Sequence, residues 1–478
     1  MLTYLSSNRF FGIVFFLVLF FSSATSLRFF GSVGVSELGL FVLIFGLFFT
    51  NSIFLVKNRL AWLGLGLFFI SGLLGYFFHE EKSAGLLHTS LAYFYVVVFV
   101  FVSYFYLVKA YGHDGGYIVF QRHVKKFVEF SVLLYLFGFF IFFFDVTPLL
   151  SLFKVNLDFP ARFSAWSTNP NQLALYLAPI PFLYLWSIRD DSWGLFRCFV
   201  MVLIFFLFFV MALYVRSDAL FFAWVFVFIA VNFLLLFLVP TSSNRSFSLL
   251  FMAALFALWA FKWLTMYGGG DVVVKYRAQV IEQTESVVVA VNDMQTSIST
   301  FIYTSFVSST TPSFTGSAST NTSASTNTSV TVKPITEKLA VSIESDTDMG
   351  VGMDKNKTGV RKQLWQNAFH VWLKAPMFGQ GPGAFSYLDD PKVKHEAHNL
   401  WLDLLTQVGI VGVIPFALFV MFLAYRALQT RNWYALAALC SIGIFSMAHF
   451  VFRMPIFWFY LIVVYFMTQK TEIHKAQE

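Results

Sequence analysis

Long apolar runs recur throughout this chain, each closed by a short polar or charged cluster. Several reach about eighteen residues with few or no charges, the length that reads as a membrane-crossing helix. At about 20 residues per span, the pattern predicts about twelve helices. Their cores fall near 11–28, 36–56, 60–78, 88–108, 127–145, 171–188, 195–215, 219–240, 247–266, 409–426, 433–452 and 454–468. The expected fold is an all-α polytopic membrane protein, because a bilayer interior leaves backbone groups no partner outside their own helix. The first run, NRFFGIVFFLVLFFSSATSL, also has the features of a signal peptide. Many further spans follow it, so a retained first helix is expected.

One long hydrophilic stretch interrupts the pattern, and it divides the chain into three. Helices one to nine occupy 1–266, a loop occupies 267–396, and a re-entry segment with helices ten to twelve occupies 397–478. The loop's middle, 305–332, is rich in Ser, Thr and Asn and poor in large apolar residues. Such a segment cannot bury enough surface to fold, so a disordered insertion is expected there. Asn321 and Asn327 head N-x-[ST] triplets, which a Ser/Thr/Asn tract generates by chance. The flanks differ: 272–300 has partly helical periodicity, and RKQLWQNAFHVWLK places Arg361, Trp365, Ala368 and Trp372 at helical spacing. The glycines of GQGPGAF then break the chain ahead of His395.

Charge sets the orientation. Lys and Arg concentrate in alternate connections, among them Arg9, Lys57, Arg59, Lys109, Arg122, Lys125, Lys126, Arg189, Arg426 and Arg431. The intervening short connections hold fewer: Arg28, Lys82, Lys154, Arg162, Arg216 and Arg453. The positive-inside rule then places both termini in the cytoplasm and the long loop outside it. The formal charge of +7 could suggest nucleic acid. In a chain that is 58% apolar with 65 Phe, it reports topology and contact with anionic lipid instead, and no nucleic-acid partner is expected. Cys198 and Cys440 both fall in apolar runs, which implies neither a disulfide framework nor a thiolate metal site.

Four polar features converge on the outer face. Arg162 lies in ARFSAWSTNPNQLALYLAPI, ahead of Asn169-Pro170-Asn171 at a helix start. Arg216 sits in a tight turn between two spans, Arg361 opens the segment after the insertion, and His398-Asn399 precedes the tenth span. A single boundary arginine is usually a topology charge or a snorkelling side chain, and a histidine at a helix entry is often a cap. The combination says more. Arginine's planar fork suits phosphate oxygens, a helix start below it favours an anion, and a histidine titrating near neutrality suits a general base for a hydroxyl. His395 and His398 lie three apart, but they have no clear third ligand and the chain has no H-E-x-x-H, so no metal is expected. A phosphate-bearing substrate at a face without ATP points to an activated lipid-linked sugar.

The segment HNLWLDLLTQVGIVG resembles the H-[NSQ]-x9-G-x-x-G signature of the bacterial O-antigen ligase and polymerase family, with His398, Asn399, Gly409 and Gly412 in register. Upstream, Arg361 and Trp365 resemble that family's R-x3-W segment. Pro376, Gly379, Gly381, Gly383 and Phe385 resemble the P-x2-G-x-G-x-G-x-F turn that follows it. Arg162 with Asn169-Pro170-Asn171 is similar to the family's Arg before a Pro-Asn helix start, and Arg216 sits where members often carry Ser-Arg. The likeness spans essentially the whole chain. It departs at Gln407, where many members have Glu, at Val215, where Ser is common, and in the Ser/Thr-rich insertion.

What the resemblance implies is a GT-C-like membrane enzyme of the bacterial inner membrane, with its active site on the periplasmic face. It would be a metal-independent, inverting glycosyltransferase without a cofactor. Its donor would be a glycan on undecaprenyl diphosphate, and its acceptor lipid A-core or a lipid-linked oligosaccharide. Arg162, Arg216 and Arg361 would hold the diphosphate, with Asn171 and Trp365 in support. His398 would take the acceptor's proton and Asn399 would hold the imidazole. Gly409 and Gly412 would let helices pack closely. A ligase onto lipid A-core leads, and an O-antigen or capsular polymerase, with a chain-length-regulating co-polymerase as an optional partner, runs the same chemistry. A polysaccharide or lipid transporter stands apart in class. It would place polar or broken helices near the midplane, whereas the ionisable residues here gather at span ends.

Overall fold

A computed structural model describes residues 28–30, 33–34, 66, 70, 84–111, 116–144, 162–167, 169–189, 195–238, 357–383 and 397–469. The expected spans at 36–56 and 247–266, nearly all of that at 11–28, most of that at 60–78, the flank at 272–300 and the insertion at 305–332 lie outside the described residues. Two short strands, β1 (Arg28–Phe30) and β2 (Val33–Gly34), pair antiparallel. Everything else regular is helical: α1 (Ala84–Tyr111), α2 (Gly116–Phe143), α3 (Pro170–Leu177), α4 (Ile180–Ile188), α5 (Leu195–Val215), α6 (Asp218–Leu238), α7 (Lys357–Lys374), α8 (Leu400–Gln429), α9 (Trp433–Ser446) and α10 (Pro455–Met467). The helical character of the described residues agrees with the expected all-α fold.

Two of these helices, α2 and α8, are long and apolar enough to cross a membrane. Their outward faces are apolar as well. On α2, Phe130, Leu133, Phe137, Phe140 and Phe144 just beyond its end are exposed at three- and four-residue intervals, and on α8 so are Ile414, Leu418, Met421, Tyr425 and Leu428. Water does not tolerate such continuous apolar stripes on a monomer's surface; the architecture is compatible with a membrane protein.

The centre of the described unit is α10, apolar on every side and buried from Ile456 to Met467, as a helix surrounded by others must be. It packs on α1, α3, α8 and α9, while α9 also meets α4 and α6. The sixth expected span, 171–188, is not one helix but two. Pro179 and Pro181 lack the N–H groups that would continue the ladder, so α3 ends at Leu177, with Ala178 as its cap, and α4 begins at Ile180. Carbonyls near that break find side-chain donors instead. The Tyr460 hydroxyl donates to Tyr176 O at 2.7 Å, and Trp224 Nε1 and Ser441 Oγ donate to Ala178 O at 2.8 and 3.1 Å. A buried carbonyl left alone costs about 1–3 kcal/mol, so the proline break fastens α3–α4 to α6, α9 and α10.

The helix directions give the unit two ends. Asn432 Nδ2 donates to Met467 O at one end, and Asn399 Nδ2 donates to Met447 O at the other. The starts of α3, α6, α8 and α10 and the finishes of α5 and α9 share the second end.

Candidate active site

Arg162 and the start of α3 belong to one hydrogen-bonded group. The loop ahead of α3 is anchored by aromatic rings: Phe163 is buried against Phe139 and Phe142, and Trp166 lies over Gly138, where a Cβ would stand 3.2 Å from the indole. Phe163 N also donates to Tyr214 O at 2.8 Å. So placed, Arg162 donates from Nε to Val215 O at 3.1 Å and from an Nη to Asn171 Oδ1 at 3.2 Å. Asn169 caps α3 by accepting from Asn171 N at 2.8 Å, with Pro170 at the first helical position, a favourable start in both respects. Arg216 follows Val215 directly. It is exposed and adopts φ +52, and its N–H donates to Leu213 O at 3.0 Å, closing the turn between α5 and α6. Arg162, Asn171 and the Arg216 turn are thus brought together at one end of the helical unit.

His398 lies at that same end, on the turn entering α8. The residue that caps α8 is not the histidine. Asn399 Oδ1 accepts from Trp401 N and Leu402 N at 3.1 and 3.2 Å while its Nδ2 reaches Met447 O at 3.1 Å. Asn399 therefore acts on the turn and ties it to the end of α9. His398, one residue earlier, is exposed and left-handed at φ +51, a conformation that costs roughly 1–2 kcal/mol for a residue with a Cβ. Its backbone is held from within. Asp403, fully buried, accepts from Ala397 N at 2.9 Å on one oxygen and from Asn399 N at 3.2 Å on the other. The two amides flanking a left-handed residue form a concave donor pair that suits an anion. Asp403 went unnoticed in the sequence. Its signal was a single carboxylate within the apolar LWLDLL, and an ionisable residue in such a run marks function by default.

The glycine-rich turn and Gly409 form one device. At Gly409 the backbone takes φ +62 and ψ −171, a region open essentially to glycine alone. That kink opens α8, where Ile410 N and Val411 N would otherwise donate to Thr406 O and Gln407 O. Instead they donate to Pro376 O and Met377 O, each at 3.0 Å. The carbonyls so released accept from Gln380 N at 2.8 Å and Gly381 N at 3.0 Å. The turn after α7 replaces the missing helical bonds in full. Gly409 is thus not there merely for helix packing, which corrects the expectation for that residue; Gly412 is buried within the helix. Gln407 Oε1 accepts from Gly383 N at 3.4 Å, so its side chain serves the glycine turn.

Around α7, Leu364, Ala368 and Val371 are buried, and Ala368 and Val371 pack with Ala397 and Leu402 beside the His398 turn. Trp365, Phe369 and Leu373 form an exposed apolar strip beside this face, and Gln363, Gln366, His370 and Lys374 fill a polar arc. Arg361 lies on this helix, its side chain outside the described residues, and Phe385 also lies outside them. Among the described residues no three His, Cys, Asp or Glu side chains gather as a metal set.

No protein-family model matches the sequence, and no curated protein matches it either.

Proposed function

We propose that the protein is a membrane-embedded, metal-independent, inverting glycosyltransferase of about twelve spans in a GT-C-like arrangement, seated in a bacterial inner membrane with its site on the periplasmic face. It moves a glycan from undecaprenyl diphosphate to a sugar hydroxyl, and the acceptor we favour is lipid A-core. The observation that carries this reading is the placement of His398, exposed on a rigidly held turn, at the same end as the Arg162–Asn171 pair and Arg216. In the reaction, His398 takes the proton of the acceptor hydroxyl as its oxygen bonds to the anomeric carbon from the face opposite the leaving group. The bond from that carbon to the diphosphate oxygen breaks, and undecaprenyl diphosphate departs with the electron pair. Arg162, Arg216 and Arg361 balance the charge that grows on the leaving group.

The test is His398→Ala in the native host with its chromosomal copy removed, read as the lipopolysaccharide ladder beside the amount of protein in the membrane. A missing ladder with normal protein supports the general base. A normal ladder overturns it. Long glycans left on undecaprenyl diphosphate identify a ligase, whereas a core bearing a single repeat identifies a polymerase.

A further inference from the structure

The candidate base sits in a backbone conformation that it would not choose unaided, and one buried side chain holds it there. Ala397 N–H and Asn399 N–H converge on the two oxygens of Asp403 at 2.9 and 3.2 Å, and His398, at φ +51, is the residue between them. Asp403 is in turn tied down. Its own N–H donates to Asn399 O at 2.9 Å, its carbonyl accepts from Thr406 Oγ1 at 2.8 Å, and its side chain is fully enclosed. A carboxylate buried in apolar surroundings is expensive to keep. Capping does not demand it, since Asn399 already accepts from Trp401 N and Leu402 N.

We infer that Asp403 is the positioning residue of the site: its carboxylate sets the left-handed backbone of His398 and thereby the direction in which the imidazole leaves the turn. This rests on the proposed role of His398 as general base. A base must sit within hydrogen-bond reach of the proton it removes, and a shift of about 1 Å away from that geometry can cost on the order of 10²-fold in rate. Asp403→Asn tests it well, because the amide can accept from one N–H only and turns a donor toward the other.

The experiment uses the full chain in lipid nanodiscs, with lipid-linked glycan extracted from the host as donor and host core lipopolysaccharide as acceptor. Asp403→Asn is expected to lower kcat about 10²-fold while leaving KM for the donor unchanged. The control is Ser446→Ala, which removes a buried hydroxyl at the end of α9 that donates to Ile442 O and does not touch residues 397–403, and it is expected to keep wild-type kcat. Wild-type kcat in Asp403→Asn, with His398→Ala inactive, overturns the positioning role and leaves the proposed function standing. An equal loss in Ser446→Ala also overturns it, as mere loosening of that end of the helical unit. Full turnover in His398→Ala overturns the reading on which both depend. If Asp403→Asn fails to reach the membrane, amide hydrogen exchange of the wild type decides: protected amides at Ala397 and Asn399 are expected, and free exchange refutes the clamp.

Discussion

Gly409→Ala tests the device that joins the glycine turn to α8, and the geometry sets what should happen. A Cβ at Gly409 would run into the carbonyl of Met377 and the nitrogen of Gly379. Retaining the docked form also leaves alanine at φ +62 and ψ −171, a strain of about 1–3 kcal/mol before any overlap is counted. The alternative is to undock and straighten. That loses the four bonds that Gln380, Gly381, Ile410 and Val411 make between turn and helix. It regains two helical bonds at Thr406 and Gln407, for a net loss near 2 kcal/mol at about 1 kcal/mol per bond. Straightening is therefore the easier course, and the two halves of the ladder should respond oppositely. The undocked form lies only about 2 kcal/mol above the docked one, so hydrogen exchange at Gln380 and Gly381 should accelerate by about 30-fold once it becomes the ground state. Exchange at Ile410 and Val411 should hardly change, because their N–H groups re-enter the helix. Gly443→Ala is the control, since a Cβ there meets nothing within 4 Å and alanine suits a helix interior better than glycine. Unchanged protection at Gln380 and Gly381 in Gly409→Ala would refute the replacement of helical bonds by the turn. So would loss of protection at all four amides together.

Two further outcomes follow from the same kind of accounting. Trp224→Phe and Ser441→Ala each leave Ala178 O with one of its two donors and should destabilise by about 1 kcal/mol apiece, whereas the double variant strands the carbonyl and should exceed their sum by about 1–2 kcal/mol; additive thermal shifts in detergent would count against that account of the proline break. On α7, a nitroxide at Phe369→Cys, in a background where Cys198 and Cys440 are alanine, should relax faster with oxygen than with a nickel chelate, and Gln366→Cys should show the reverse; equal accessibility at both sites would refute contact of the Trp365–Phe369–Leu373 strip with lipid.

Hydropathy located the helices well where apolarity and helicity end together. The expected 195–215 and 219–240 lie close to Leu195–Val215 and Asp218–Leu238. It fell short where the two part company. α2 begins at Gly116 rather than near 127, because Gln121, Arg122, Lys125, Lys126 and Glu129 interrupt the apolar run without disfavouring helix. Across Ala178–Pro179 the opposite holds: apolarity continues while the proline ends the ladder. In the site, Arg162 with Asn169-Pro170-Asn171 was legible as a local pattern, since an Asn cap and a Pro at the first helical position act within a few residues. The partners of the Ile410 and Val411 amides beside Gly409 lie some thirty residues upstream, at Pro376 and Met377, and no local period reports them. Asp403 was written in LWLDLL, but its partners are backbone amides, which carry no residue-type signal.

The three motif segments behave as one mechanical part, and this accounts for their order and spacing. α7 touches α8 in two places: through Ala368 and Val371 against Ala397 and Leu402, and through the turn 376–381 inserted at Gly409. The second contact, at Gly409, lies about 10 Å along α8 from Leu402, at about 1.5 Å per residue. Two contacts that far apart on one helix prevent α7 from pivoting about either. Arg361 lies about 10 Å along α7 from Ala368 at the same rise, so the position of its backbone relative to His398 is set by the ladder as well as by the cluster. The glycines at 379 and 409 meet backbone to backbone, where any side chain would intrude. A strained histidine, its buried carboxylate and a glycine-mediated splice in one helix all work to the same end, which is to hold α7 and the His398 turn in one fixed relation.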